Sequence, residues 1–264
     1  MKSKMRILDL CCGCGGFSLG FRDKYNRFLG IDIWDKALKS YQANLNAETI
    51  QADIRFLDVS VFKKHEFDII IGSPPCQAFS TIKNINPIFQ DFYQIPDMSI
   101  VNAFLKIKDE LNPKFWIMEN VPPITKFMPK NAGCPKILKA CDFGLLHERR
   151  RAFYGNFIEP KATKKVKPRF PTPTASSRGY SCIFRLSNKN WQEFQVFFKT
   201  KKKIPDVSHY KFLMGFPRDY FLAGNKKEKM MQLGNAVCPP VSQAIYKSII
   251  NNKKLDDFLK KDSR

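Results

Sequence analysis

Two rhythms of apolar residues alternate along the first 160 positions of the chain. Short runs at residues 5–10, 28–32, 49–52, 67–71 and 115–118 have the length and composition of strands. Between them, residues 18–24, 36–44 and 98–111 place apolar side chains three and four apart, the spacing that buries one face of a helix. Such alternation builds βαβ units, whose helices cover both faces of a parallel sheet. The predicted fold class is therefore α/β, a doubly wound and mostly parallel sheet over residues 1–160.

The pattern breaks near Pro160. Residues 161–203 hold twelve Lys or Arg, one acidic residue (Glu193) and seven aromatics. Three prolines and the turn Ser176-Ser177-Arg178-Gly179 interrupt any long period. A small, basic second domain is predicted over 161–222, with a modest aromatic core. A segment over 223–264 then returns to the first domain, with a helical pattern at 241–250 and a frayed Lys-rich tail.

Charge narrows the partners. The 45 Lys and Arg against 24 Asp and Glu leave a formal charge of +21, which calls for a polyanion, and nucleic acid fits best. No apolar run is long enough to span a membrane, and no basic amphipathic helix stands apart, so no membrane partner is expected. Of the eight cysteines, three crowd into Cys11, Cys12 and Cys14, too close to bridge. Their spacing also suits zinc poorly and no His lies nearby, so no metal is expected. The chain reads as reduced and cytoplasmic, its first residues passing into a strand without the pattern of a signal peptide.

The candidate chemistry gathers at strand ends. The first strand runs into Asp9-Leu10-Cys11-Cys12-Gly13-Cys14-Gly15-Gly16-Phe17-Ser18-Leu19-Gly20, a turn that lets a ligand approach the backbone and opens a helix with free N–H groups. Ser18 stands where the dinucleotide fingerprint needs its third Gly, which favours a different adenosine-bearing cofactor. Asp32 ends the second strand, where a carboxylate can take both ribose hydroxyls, and Asp53 follows the third, placed for an adenine amino group. The fourth strand leads into Gly72-Ser73-Pro74-Pro75-Cys76-Gln77, a thiol on a loop stiffened by two prolines. The fifth delivers Glu119-Asn120-Val121 to the same edge, so Cys76 and Glu119 make a nucleophile and acid pair. Arg149 and Arg151 alternate along a further extended segment, both aimed at one side, where they can grip an anion or a carbonyl.

Taken in order, these motifs resemble the cytosine-5 DNA methyltransferase family. The glycine turn, the Pro-Pro-Cys-Gln loop, Glu-Asn-Val, Arg-x-Arg, Leu213-Met214-Gly215-Phe216-Pro217 and Gln232-Leu233-Gly234-Asn235-Ala236-Val237-Cys238-Pro239 all occur in the family's sequence. The resemblance covers the chain except for the basic stretch and the tail. It implies a Rossmann-like methyltransferase domain with a small target-recognition domain. It further implies S-adenosyl-L-methionine as cofactor, held by Asp9, Cys11, Gly13, Gly15, Gly16, Phe17, Asp32, Ile33, Asp53, Ile54, Pro75, Asn235 and Ala236. By the same analogy Cys76 adds to carbon 6 of a flipped cytosine in duplex DNA, Glu119 serves ring nitrogen 3, Arg151 steadies the base carbonyl and Arg149 supports the loop.

The segment after Ser80, through Asn84 and Asn86, is the expected mobile loop. The implied setting is a prokaryotic modification enzyme, a monomer on nucleoid DNA, with a restriction endonuclease or second subunit as a further partner. A transfer-RNA methyltransferase and a catalytically silent binding protein are the alternatives. Four features depart from the family: Cys11 replaces a Phe, His147 a Gln, Ser208 a Thr, and the motif leading to Gly215 lacks its customary Arg.

Overall fold

The computed structural model describes residues 5–76, 79, 96–175, 188–200 and 206–262. Seven strands form one sheet in the order β3-β2-β1-β4-β5-β7-β6. They are β1 (Arg6–Leu10), β2 (Arg27–Asp32), β3 (Ala47–Gln51), β4 (Ile69–Gly72), β5 (Phe115–Asn120), β6 (Lys136–Lys139) and β7 (Arg150–Gly155). The first five are parallel, and β7 lies antiparallel between β5 and β6. Helices α1 (Gly16–Gly20), α2 (Asp35–Asn44) and α3 (Ser99–Leu111) follow β1, β2 and β4, as the alternation predicts. Further along lie α4 (Asn188–Phe197), α5 (Val207–Met214), α6 (Lys226–Asn235) and α7 (Pro239–Asp262).

Alternation along the central strands feeds two cores, because successive strand side chains point to opposite faces. Ile7, Ile69, Ile71 and Ile117 join one core with Phe17, Phe21 and residues of α5 to α7. Leu8, Leu10, Ile70 and Met118 join the other with Phe104 and Ile107 of α3. Phe170 and Phe194 of the basic stretch sit in the first of these cores, so its described part packs with the sheet. The turn at Ser176-Ser177-Arg178-Gly179 lies outside the described residues.

Strand order fixes where a ligand can bind. The chain moves outward one way from β1 to β3 and the other way from β4 to β5, so the crevice at the carboxyl ends of β1 and β4 is the topological switch point. Leu10 pairs with Gly72 in register, and the Ser73 N–H donates to the Leu10 carbonyl at 3.2 Å. The glycine turn and the Cys76 loop consequently leave the sheet side by side.

Several boundaries differ from expectation; α7, for one, runs on through Asp262 where a frayed tail was expected after residue 250. Strand β5 runs on through Glu119 and Asn120, because both pair with Phe153 and Ala152 of β7 despite their polarity. Helix α1 ends at Gly20, and residues 22–26 make turns. Strand β3 lies two residues earlier at its start than the apolar run suggested.

Candidate active site at the sheet switch point

Cys76 stands at the end of a short extended loop after β4, half-buried. Asn120, fully buried at the end of β5, donates from Nδ2 to the Pro74 carbonyl at 3.0 Å and accepts from the Val121 N–H through Oδ1 at 2.8 Å. This one amide ties the proline loop to the strand that carries Glu119. Its role is absent from a reading of Glu119 and Cys76 alone, although its place beside Glu119 was the available signal.

Glu119 is buried, and its Oε1 sits 2.8 Å from Arg151 Nε without the alignment of a hydrogen bond. A buried carboxylate with an unsatisfied oxygen is costly unless something supplies a donor. A donor from a ligand in the crevice would satisfy it. Arg151 keeps the other end of its guanidinium on the Arg150 carbonyl at 2.7 Å.

The thiol of Cys76 is pushed above the ordinary cysteine range by burial first and by the Glu119 charge second, while Arg151 and Arg149 pull it down. The free protein therefore keeps Cys76 as a thiol at neutral pH. Because Glu119 is part of the cause, any ligand that neutralises Glu119 also promotes the thiolate.

Arg149 and Arg151 flank the exposed Arg150, so the period-two spacing holds in space, but the two side chains have different occupations. Arg149 is buried and donates from Nη1 to Pro173 O at 2.9 Å and from Nη2 to Gly234 O at 3.0 Å and Ala236 O at 3.2 Å. Burial lowers it to about 10, so it stays charged at neutral pH. It is a clamp that joins β7 to the 173 loop and to the end of α6. A cleft with room for about one water, about 10 Å³, lies behind the pair against Phe153, Val237 and Cys238. His147, two residues earlier, is fully buried and bridges Leu213 O at 2.9 Å and the Arg149 N–H at 3.3 Å. Burial and the neighbouring Arg149 charge lower His147 to about 4, which leaves it neutral.

The glycine turn is built from left-handed backbone at Cys11 (φ 56°), Gly13 (53°) and Gly15 (88°). Such angles cost a non-glycine residue, and here Cys11 bears that strain. A side chain at Gly13 would meet nothing within 4 Å, so the turn presents open space there. At Gly16 a Cβ would lie 2.3 Å from Val237 O, which shows how closely the segment after α6 closes on the turn. The five-residue α1 is too short to act through its dipole; the turn's own N–H groups are the donors it offers.

The residues expected to hold a cofactor fall into two groups. Asp32 accepts the Gly13 N–H at 2.8 Å and the Trp34 N–H at 2.9 Å, one on each oxygen, leaving a lone pair on each for a diol. Ile33 beside it is exposed, at 65 %. Asp53 caps the 3-10 turn Ile54–Phe56 and is held by Arg55 through Nε, Nη2 and the backbone N–H, which lowers its carboxyl. Ile54 lines an open cleft of about 270 Å³ with Arg55, Ser99 and Lys106. Pro75 is exposed next to Cys76, Asn235 ends α6 with its side chain exposed, and Ala236 caps that helix with its methyl beside Gly16 of the turn.

Asp9 and Phe17 lie deeper. Asp9 is 1 % exposed, accepts from Ser18 Oγ at 2.6 Å, and is raised by burial to about 8, while its Oδ1 has no partner. The Phe17 ring packs edge-on against Phe21 and Phe153. Gln77 and the segment after Ser80, with Asn84 and Asn86, lie outside the described residues. Among the described residues no group of three or more His, Cys, Asp or Glu is arranged to hold a metal, and no helix is long and apolar enough to cross a membrane.

These features fit a nucleoside cofactor: open room at Gly13, free lone pairs on Asp32, exposed apolar surface at Ile33, and a cleft at Ile54. Comparison with known proteins gives the family. The family described as C-5 cytosine-specific DNA methylase matches residues 5–211 and 206–251. The type II methyltransferase M.HindV of Haemophilus influenzae is 32 % identical over 95 % of this chain and 98 % of its own length. The putative type II methyltransferase M.MJ0563P of Methanocaldococcus jannaschii is 27 % identical, covering 93 % and 99 %. M.DdeI of Desulfomicrobium norvegicum is 35 % identical over 64 % of this chain, which spans 44 % of that relative. Among solved structures, the Entamoeba histolytica methyltransferase EhMeth superposes with a TM-score of 0.68 at 17 % identity, over 95 % of this chain and 99 % of that one. The S. pombe Dnmt2 methyltransferase superposes with a TM-score of 0.65 at 17 % identity, over 95 % and 99 %. The last two likenesses bear on the fold.

Proposed function

The chain belongs to the C-5 cytosine-specific DNA methylase family, and from that premise we propose that it methylates carbon 5 of a cytosine turned out of duplex DNA, through a covalent bond to Cys76. The observation that carries this reading is the juxtaposition of Cys76, Glu119 and Arg151 at the switch point, with a buried carboxylate oxygen left without a hydrogen bond.

In the proposed reaction the Cys76 thiol proton passes to the Glu119 carboxylate, which then shares it with ring nitrogen 3 of the base. Its negative charge is thereby offset, and the part of the upward push on Cys76 that comes from Glu119 is removed, while the larger part from burial remains. The Sγ thiolate then adds to carbon 6, and the electron pair of the 5,6 double bond moves to carbon 5. S-adenosyl-L-methionine, when bound, supplies an electrophilic methyl group. After carbon 5 has taken the methyl, a base removes the proton of that carbon, the double bond re-forms, and the sulfur leaves as thiolate. Arg151 faces the base carbonyl, and Arg149 holds the backbone around it. The free enzyme thus keeps its nucleophile protonated, and the correct base itself switches it on.

The basic stretch over 161–222 is proposed as the target-recognition domain, with charge for phosphates. The flanking segments 1–160 and 223–264 make up the catalytic domain around the cofactor. Relatives named type II methyltransferases support a role in modification at one short sequence, beside a restriction endonuclease. The test is transfer of tritium from methyl-labelled S-adenosylmethionine to duplex DNA, followed by nucleoside analysis. Label in 5-methylcytosine is expected. Label only in transfer RNA, or in another base, would overturn the proposal.

A further inference from the structure

We propose that Gln232 and Ser40 form a positioning pair that keeps the two walls of the cofactor cleft in register; the proposal rests on the reading above, in which S-adenosylmethionine lies between the glycine turn and the segment at Asn235 and Ala236. Both residues are fully buried, 192 positions apart in the chain. Their side chains close a ring with the backbone of Ala223. Ser40 Oγ donates to Gln232 Oε1 at 2.6 Å, Gln232 Nε2 donates to Ala223 O at 2.8 Å, and the Ala223 N–H donates back to Ser40 Oγ at 2.9 Å. Ser40 Oγ also has the Lys36 carbonyl within reach at 3.0 Å, but turning the amide over would set acceptor against acceptor at the Ala223 carbonyl, so the ring admits one orientation.

The locked side chain fixes a backbone carbonyl that touches both walls. Gln232 O accepts the Cys14 thiol at 3.6 Å, from inside the glycine turn, and the Ala236 N–H at 3.1 Å, from the opposite wall. Ser40, for its part, belongs to a frame already registered to the turn. Helix α2 starts three residues after Asp32, whose carboxylate holds the Gly13 N–H. Lys36, Ser40 and Asn44 recur every four residues, one face of that helix, and each reaches the C-terminal segment: Lys36 pairs with Glu228, and Asn44 makes two 2.8 Å bonds with the Phe221 backbone. Those two contacts are partly exposed. The bond between Ser40 and Gln232 is the buried one, and it leads to the carbonyl between the walls.

The experiment measures S-adenosylmethionine binding by calorimetry, together with KM and kcat on duplex DNA, for the full chain and for Gln232→Leu, Ser40→Ala and the double variant. Expected is a rise of about tenfold in Kd and KM for the cofactor in Gln232→Leu, a smaller rise in Ser40→Ala, and kcat at saturation within about twofold. The double variant should be no worse than Gln232→Leu, because the two act through one ring. A folded Gln232→Leu protein with unchanged Kd overturns the proposal, as does a fall in kcat alone or full additivity. If Gln232→Leu does not fold, Ser40→Ala decides in the same way. An unmutated protein that fails to bind S-adenosylmethionine sinks the cofactor reading itself, whereas normal binding by every variant sinks only the positioning pair.

Discussion

Two sets of cysteines stand at neighbouring strand ends in contrasting electrostatic surroundings. Cys12 and Cys14 sit under the glycine turn, where burial and the charges of Asp9 and Asp32 raise their thiols, Cys14 to about 12. Cys76 is also raised by burial, but its neighbours are one carboxylate and two guanidinium groups. The first set can only pack: among the described residues no cation lowers either thiol, and Cys14 instead donates to Gln232 O. In the proposed reaction the second is held back partly by burial and partly by a charge that the base can offset. Burial alone therefore does not separate a structural thiol from a nucleophile; the removable part of the shift does.

The contrast can be broken most sharply by swapping atoms. Cys76→Ser should lower methyl transfer by at least about 10⁴-fold, the loss typical of a missing nucleophile, while binding cofactor nearly as before. Cys12→Ser should stay within about tenfold of the unmutated rate, as a packing change does. Comparable losses in both would erase the distinction. Next in size is Glu119→Gln, expected to cost about 10²- to 10⁴-fold in turnover for loss of an acid. The same change should speed alkylation of Cys76 by iodoacetamide at pH 8, because the charge that raises the thiol is gone. Slower alkylation would contradict the electrostatic account.

Stability offers a smaller effect. Arg149→Met leaves three backbone carbonyls without their buried donor and should reduce stability by about 3 kcal/mol in a urea titration. Its effect on Cys76 alkylation should be weaker than that of Arg151→Met, since Arg151 exerts the larger pull. Near neutral pH the smallest is a pH dependence, which grows only on acidification. His147 titrates near 4 in the folded chain and near 6.5 unfolded, so the unfolded state binds the extra proton between those values. Stability carried by this group is present above about pH 6.5 and is lost as pH falls toward 4, up to about 3 kcal/mol at the lower end. His147→Gln should flatten that slope in a series of unfolding curves.

Much of the fold was legible because the central strands are apolar on both faces and leave little choice of register. The edge strand β6 was not, since Lys136 and Lys139 mask its alternation, and of β7 only the start at Arg150 and Arg151 was read. The end of β5 was hidden for a related reason. Glu119 and Asn120 look like loop residues until Arg151 and the Pro74 carbonyl are brought to them by the fold. The candidate site was legible wherever strand ends carry it, at Cys76, Glu119 and Asp32. What joins those residues was not, because Arg149 reaches carbonyls 24 to 87 positions away and Ser40 reaches Gln232 across 192. Asp9 shows the converse: prominent in the motif, it lies beneath the turn on Ser18.

The most direct measurement uses duplex DNA in which the target cytosine carries fluorine at carbon 5. With no proton there to remove, the sulfur cannot leave after methyl transfer, and the protein should remain bonded to the DNA through denaturation. The account predicts a cofactor-dependent adduct whose peptide mass maps to Cys76 and which vanishes in Cys76→Ser. An adduct on any other cysteine, or methylation of ordinary DNA with no adduct on the fluorinated duplex, would contradict it.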